Sequence, residues 1–224
     1  MSNLSKDEYL YVNQKSHIFV NEKKGYLYQK RLLDICFALM GIICLGLIFL
    51  IVSLLIKIED PKGKIFFKQT RIGKDGKEFN MYKFRSMVYN AEELLKDLLE
   101  KNEISGAMFK MKEDPRVTNV GKFIRKTSID ELPQLWNVLK GDMSLVGPRP
   151  PLPREVKEYT EYDKQRLLVT PGCTGLWQIS GRNSIGFQEM VELDLEYMVN
   201  RNISMDIQII VKTVFVLFGS KHAF

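Results

Sequence analysis

Cysteine and histidine are scarce in this 224-residue chain, with three of the first and two of the second. An odd, small set of cysteines argues against a disulfide scaffold and for a reducing compartment. No Cys/His pair stands at ligand spacing, which argues against a zinc site. Internal repeats and low-complexity tracts are absent. Only one stretch lacks charge for long, so a polytopic transporter is excluded. Composition is 45% hydrophobic and 27% charged, which excludes wholesale disorder and collagen-like repeats. No nucleic-acid motif is recognisable and the aromatics do not interleave with a basic stripe, so nucleic acid is not an expected partner. What is present fits one compact unit plus an appendage. Thirty-three Lys and Arg against 27 Asp and Glu give a net charge of +6, which suits an anionic partner.

The uncharged stretch runs from Ile35 to Ile56. As a helix it would be roughly 33 Å long, enough for a hydrocarbon core of about 30 Å. It starts too far into the chain, and has no small-residue cleavage site after it, for a simple signal peptide. Lys23, Lys24, Lys30 and Arg31 precede it, and Lys57, Lys62, Lys64, Lys68 and Arg71 follow. Cations mark the cytoplasmic side of a membrane, and here both flanks carry them. That favours a segment that enters and returns to one face, although no proline breaks it and only Gly41 and Gly46 loosen it. The large C-terminal part is then cytoplasmic.

The expected fold class is α+β and mostly helical. Residues 1–29 form a polar lead-in, 30–58 a membrane-embedded helix, and 59–224 a cytoplasmic catalytic domain with a small β-hairpin and interfacial amphipathic helices. Strands are expected at Ile65–Gln69 and Glu78–Met87 around a glycine-rich turn. Helices are expected at Ala91–Asn102, Ser128–Lys140, Glu155–Leu168, Phe187–Asn200 and Ile203–Phe218. The leucines at 94, 95, 98 and 99 read as a core or membrane-facing stripe. Cys173 reads as a turn residue after Pro171-Gly172, and Trp136, among leucines, as a core residue.

The densest polar cluster lies between Asp114 and Pro151. Asp130 and Glu131 are adjacent carboxylates at an expected helix start, and Ser128 with Glu131 has the spacing of a capping box. That reading explains Glu131 but not Asp130. Around the pair stand Lys83, Arg85, Arg125, Arg149 and Arg182, several beside glycine and proline turns. Guanidinium forks match phosphate oxygens, and glycines let backbone N–H groups approach. A carboxylate pair among phosphates suits Mg²⁺, held here by Asp130 and Glu131 with substrate oxygens. Phosphoryl transfer at a bilayer surface is the reaction class these features point to.

Lys30-Arg-Leu-Leu-Asp34, Tyr82-Lys-Phe-Arg-Ser-Met87, Asp114-Pro-Arg-Val-Thr118 and the run from Arg125 to Pro150 resemble the bacterial sugar transferases. More narrowly they resemble the monotopic polyprenyl-phosphate phosphoglycosyl transferases. Pro171–Gln178, Ser180–Asn183 and Glu192-Leu-Asp194 extend the match, which covers roughly residues 28 to 218. The resemblance implies an enzyme that moves a sugar 1-phosphate from a UDP-sugar to polyprenyl phosphate, normally undecaprenyl phosphate, with release of UMP. This would be the first membrane step of capsule, exopolysaccharide or glycan synthesis, on the cytoplasmic face of the bacterial inner membrane. It also implies Asp130 as nucleophile through an aspartyl-phosphosugar, with Glu131 completing the dyad and the helix dipole keeping Asp130 ionised. Lys83, Arg85, Arg125, Arg149 and Arg182 would bind phosphates. Gln134, Asp142, Gly147, Pro148, Asn183 and Asp194 fall on further motif positions, with no role fixed for Asp194. The family's membrane helix commonly has Ser-Pro at its midpoint, where this chain has Gly46-Leu47. A homodimer is compatible with the sequence. The competing reading is a non-catalytic membrane scaffold of a glycan assembly complex, against which Asp130, Glu131 and the arginines count. The motifs do not specify the sugar.

Overall fold

The computed structural model describes residues 18–98, 111, 114–181 and 185–219. The apolar segment forms two helices, α1 (Lys24–Cys44) and α2 (Gly46–Glu59), bent by 59° at Leu45. No proline makes this bend. The Leu45 N–H still bonds Gly41 O and the Leu45 carbonyl still accepts from Phe49 N, both at 2.9 Å, so the backbone stays satisfied through the turn. Among the described residues no single helix is long and apolar enough to cross a membrane, whereas the bent pair together passes that test.

Next comes an antiparallel hairpin of β1 (Phe66–Ile72) and β2 (Glu78–Phe84), in register from Phe66 opposite Phe84 to Ile72 opposite Glu78. Asp75 and Gly76 take the left-handed conformation its turn requires. Then follow α3 (Ala91–Leu98), α4 (Asn119–Lys126), a 3₁₀ turn at Ile129–Glu131 and α5 (Gln134–Lys140). The rest is β3 (Ser144–Val146), α6 (Pro153–Val156), α7 (Glu161–Lys164), a 3₁₀ turn at Gln165–Leu168, β4 (Gly172–Thr174), α8 (Leu176–Ser180), α9 (Phe187–Asn200) and α10 (Ile203–Gly219). The molecule is mostly helical with small sheets, as the sequence implies.

Four expectations change. The helix expected at Ser128–Lys140 begins only at Gln134. Ser128 is left-handed (φ 55°), and Pro133, which has no N–H to donate, stands at the cap. Ser128 makes no capping bond, so the capping box does not form. The helix expected at Glu155–Leu168 is broken, because Thr160 and Asp163 form a capping box of their own that starts α7 afresh. Cys173 lies in β4, which pairs in parallel with β3 (Ser144 with Gly172, Val146 with Thr174), a pairing the sequence did not suggest. Trp136 is 55% exposed, so it is not a core residue. Of the leucine stripe, Leu94 is exposed and the other side chains lie outside the described residues.

Both ends of the bent pair rest on the remainder of the molecule. Tyr26, Lys30, Asp34 and Ala38 are buried at four-residue spacing along α1, one face of a helix. Ala38 packs with Met81, Val138 and Met143, while Asp34 accepts from Ser144 Oγ and Leu145 N. Lys30 and Tyr26 both reach Asp206 on α10. Ahead of α1, Asn21 exchanges backbone and side-chain bonds with Met198 and Arg201. In α2, Val52 and Ile56 pack with Phe84 and Ile124. Its last residue, Glu59, accepts from the first two amides of α4, Asn119 N at 2.7 Å and Val120 N at 3.0 Å. The opposite face of the pair is bare along its length, densest near the bend, where Leu39, Met40, Ile43, Leu47, Leu50 and Ile51 are all exposed.

Candidate active site

Asp130 sits in the short turn between α4 and α5, with its neighbour Ser128 strained into positive φ. A left-handed non-glycine residue costs energy that the surroundings must supply, and such residues gather at functional sites. Asp130 is only 8% exposed, and burial raises its pKa from the ordinary 3.8 to about 6. Lys83 and Arg125 pull in the opposite direction, while the charge of Glu131 adds to the rise. Asp130 does not stand in the first turn of a long helix, as the sequence reading had it: the turn is one short 3₁₀ segment and α5 starts beyond it.

Lys83, on β2, donates to Glu131 Oε1 at 2.6 Å. Crowding works against the charged form of Glu131, but Lys83, then Arg149 and Arg71, outweigh it and hold its pKa below the usual value. Asn137 sets the distance between β2 and α5. It is fully buried, accepts from Tyr82 N at 3.0 Å and donates to Asn80 O at 2.7 Å. Arg125, at the end of α4, donates through Nε to Ser86 Oγ at 2.8 Å. Burial lowers its pKa, and Asp130 and Asp114 offset this, so both carboxylates lie near its charge.

Other expected residues have different surroundings. Arg85 is committed to Asp60: one arm pairs with the Asp60 carboxylate and another donates to its carbonyl at 2.7 Å. Gln134 is buried at the start of α5. Asp142 takes bonds from Asn137 and Lys140. Gly147 and Pro148 belong to the β3–β4 pairing: the Gly147 N–H bonds Thr174 O, and Pro148 O accepts from Gly172 N. Asp194, on α9, forms a deeply buried ion pair with Arg166, the two side chains being 1% and 2% exposed. Arg182 and Asn183 lie outside the described residues.

Arg149 is exposed on the proline loop, near enough to Glu131 to influence its ionisation. Beneath that loop lies Arg71, 5% exposed, its Nη1 donating to Pro150 O at 3.0 Å and its Nη2 to Gln69 Oε1 at 2.7 Å. Sequence reasoning treated Arg71 as a flanking charge and passed over Arg166 and Asn137. For Asn137, an asparagine inside an otherwise apolar helix was the signal available, whereas Arg71 stands among polar strand residues and gave none. Together the described residues enclose a buried aspartate beside a glutamate, with a lysine and three arginines near them. Such a set suits a negatively charged, phosphate-bearing substrate and nucleophilic or metal-assisted chemistry.

The match to known proteins covers this whole arrangement. A family model described as bacterial sugar transferase matches residues 25–220. The chain is 50% identical over 200 residues to the galactosyl transferase CpsE of Streptococcus agalactiae serotype III, covering 88% of this chain and 44% of that protein. It is 42% identical over 230 residues to the undecaprenyl-phosphate galactose phosphotransferase of Salmonella typhimurium, covering 96% of this chain and 48% of the relative. It is also 40% identical over 189 residues to the exopolysaccharide production protein ExoY of Sinorhizobium fredii, covering 83% of each. The chain thus spans about half the length of the first two relatives and most of the third. With the match running from the start of the bent helix pair to α10, through every element that frames Asp130, the chain belongs to the bacterial sugar transferases.

Proposed function

We propose that this protein transfers a sugar 1-phosphate from a UDP-sugar to a polyprenyl phosphate, with Asp130 as the nucleophile. The observation that carries the reading is the buried Asp130 carboxylate. It adjoins a Glu131 already neutralised by Lys83, and Arg125 and Arg149 stand close by. The names of the relatives, an undecaprenyl-phosphate galactose phosphotransferase among them, support the substrate class.

In the first step an Asp130 oxygen attacks the sugar-bearing phosphorus. The phosphorus–oxygen bond to UMP breaks, and its electron pair leaves with UMP. In the second step an oxygen of polyprenyl phosphate attacks the same phosphorus and expels the Asp130 carboxylate, giving a polyprenyl diphosphosugar. Splitting the displacement in two predicts ping-pong kinetics. Arg125 and Arg149 hold phosphate oxygens, and Lys83 keeps Glu131 charged and in place.

Mg²⁺ suits the donor set. Among the described residues no group of three or more His, Cys, Asp or Glu side chains gathers as metal ligands. Asp130 and Glu131 would be the residues to hold it, one or two carboxylates being what Mg²⁺ prefers when substrate phosphates complete its shell. Bound there, the ion would neutralise charge on the diphosphate.

The apolar tip around Leu45 inserts into one leaflet of the cell membrane, and the rest lies at the cytoplasmic face. Supporting this are the exposed leucines and isoleucines of the tip, cations on both flanks, and the contact of both helix ends with one body. Detergent-solubilised protein with undecaprenyl phosphate, Mg²⁺ and a panel of UDP-sugars should release UMP with at least one sugar. Asp130→Asn should abolish release. Equal release by wild type and Asp130→Asn would overturn the nucleophile assignment, and no release by either would favour a scaffold.

A further inference from the structure

The segment Pro148-Arg149-Pro150-Pro151 has three prolines, so it has one backbone N–H to offer and four carbonyls to satisfy. Every one of those carbonyls is held, each by a different donor. Pro148 O accepts from Gly172 N at 2.9 Å, Arg149 O from Arg166 Nη2 at 3.5 Å, Pro150 O from Arg71 Nη1 at 3.0 Å, and Pro151 O from Ile72 N at 2.9 Å. Two donors are strand or strand-edge amides and two are buried guanidiniums. Arg166 is anchored in turn by Asp194 and by Tyr159 Oη at 3.0 Å, and Arg71 by Gln69 Oε1 at 2.7 Å. Among the described residues, both arginines keep a buried Nε with no partner. Burying two guanidiniums beneath one loop is costly. The arrangement needs a reason, and Arg149 is the one exposed residue of the segment whose backbone it fixes.

We infer that Arg71, and Asp194 through Arg166, are positioning residues that hold the Arg149 guanidinium near Glu131, the neighbour of Asp130. This rests on the proposed transfer reaction and gives Asp194 a role, since it grips the loop from beneath and does not touch substrate. A planar fork can bond Gln69 and Pro150 O together, whereas a lysine at 71 offers a single ammonium and loosens the loop.

The test is a double-mutant cycle on kcat/KM for the UDP-sugar, read as UMP release, with melting temperature recorded for each variant. Arg71→Lys should lower kcat/KM by about 10-fold in the wild-type background but less than about twofold beside Arg149→Ala, because both changes disable one unit. Gln69→Ala should lose about threefold and likewise lose nothing more beside Arg149→Ala; it carries the test if Arg71→Lys fails to fold. Losses that multiply across the cycle, or no loss from Gln69→Ala in folded protein, overturn the inference while leaving the transfer reaction intact. A wild-type protein that releases no UMP with any sugar overturns the reaction, and the inference with it.

Discussion

Lys83 Nζ lies 2.6 Å from Glu131 Oε1, so the one lysine of the site neutralises the second carboxylate of the dyad. Among the described residues no cationic side chain hydrogen-bonds Asp130, whose pKa is pushed up to about 6 by burial. The two neighbours are therefore driven apart in acidity, the arrangement by which enzymes give adjacent carboxylates different roles.

The first prediction concerns pH. A nucleophilic Asp130 must be ionised, and the raised value means it is protonated below about 6. kcat/KM should rise about tenfold per pH unit on the acid side and level off above that value. Lys83→Met removes the main charge opposing the shift and should move the inflection upward. The same shift works against folding as pH climbs from 3.8 to about 6, because the folded state holds the proton more tightly than the unfolded chain. A pH–rate profile flat down to pH 4 would contradict the assignment.

Asp194→Ala should be severely destabilising. It strands Arg166, which is 2% exposed, as an uncompensated buried charge, at a cost of about 3–5 kcal/mol. Chemical denaturation of wild type and variant measures this directly. Replacing the pair together with apolar residues should recover part of the loss.

Gly147→Ala tests the β3–β4 pairing. A Cβ there would stand 2.7 Å from Thr170 O and 2.9 Å from Gly172 N, both backbone atoms that cannot swing aside. Such overpacking should cost about 1–3 kcal/mol. A melting temperature equal to wild type would show that the strands have room to part.

Topology is open to labelling. With the native cysteines replaced, single cysteines at Lys23 and Lys62, both exposed and on opposite sides of the bent pair, should react with an impermeant thiol reagent from the same side of a sealed vesicle. Reaction from opposite sides would mean that the segment spans.

Much of this architecture was readable in advance, and the failures have physical causes. The hairpin, α9 and α10 were visible because apolar periodicity and a Gly-bearing turn are local signals. Asp130 stood out as a carboxylate that capping did not explain. The break at Pro133 was missed because Ser128 and Glu131 imitate a capping box, and only the left-handed Ser128 backbone shows that they do not form one. The β3–β4 pairing and the Arg166–Asp194 pair join positions 28 residues apart, and no local pattern announces such contacts. The bend falls at Leu45, beside Gly46, one of the two glycines that loosen the segment in sequence. The helix turns there with its hydrogen bonds intact.

The Glu59 carboxylate clasps the start of α4, the helix that runs into Asp130. The exposed apolar helix pair and the Asp130 carboxylate are thereby tied through α4. In the membrane-seated transferase proposed above, that tie would set the height of the carboxylate over the hydrocarbon, and a lipid-borne acceptor would reach it by sideways diffusion alone.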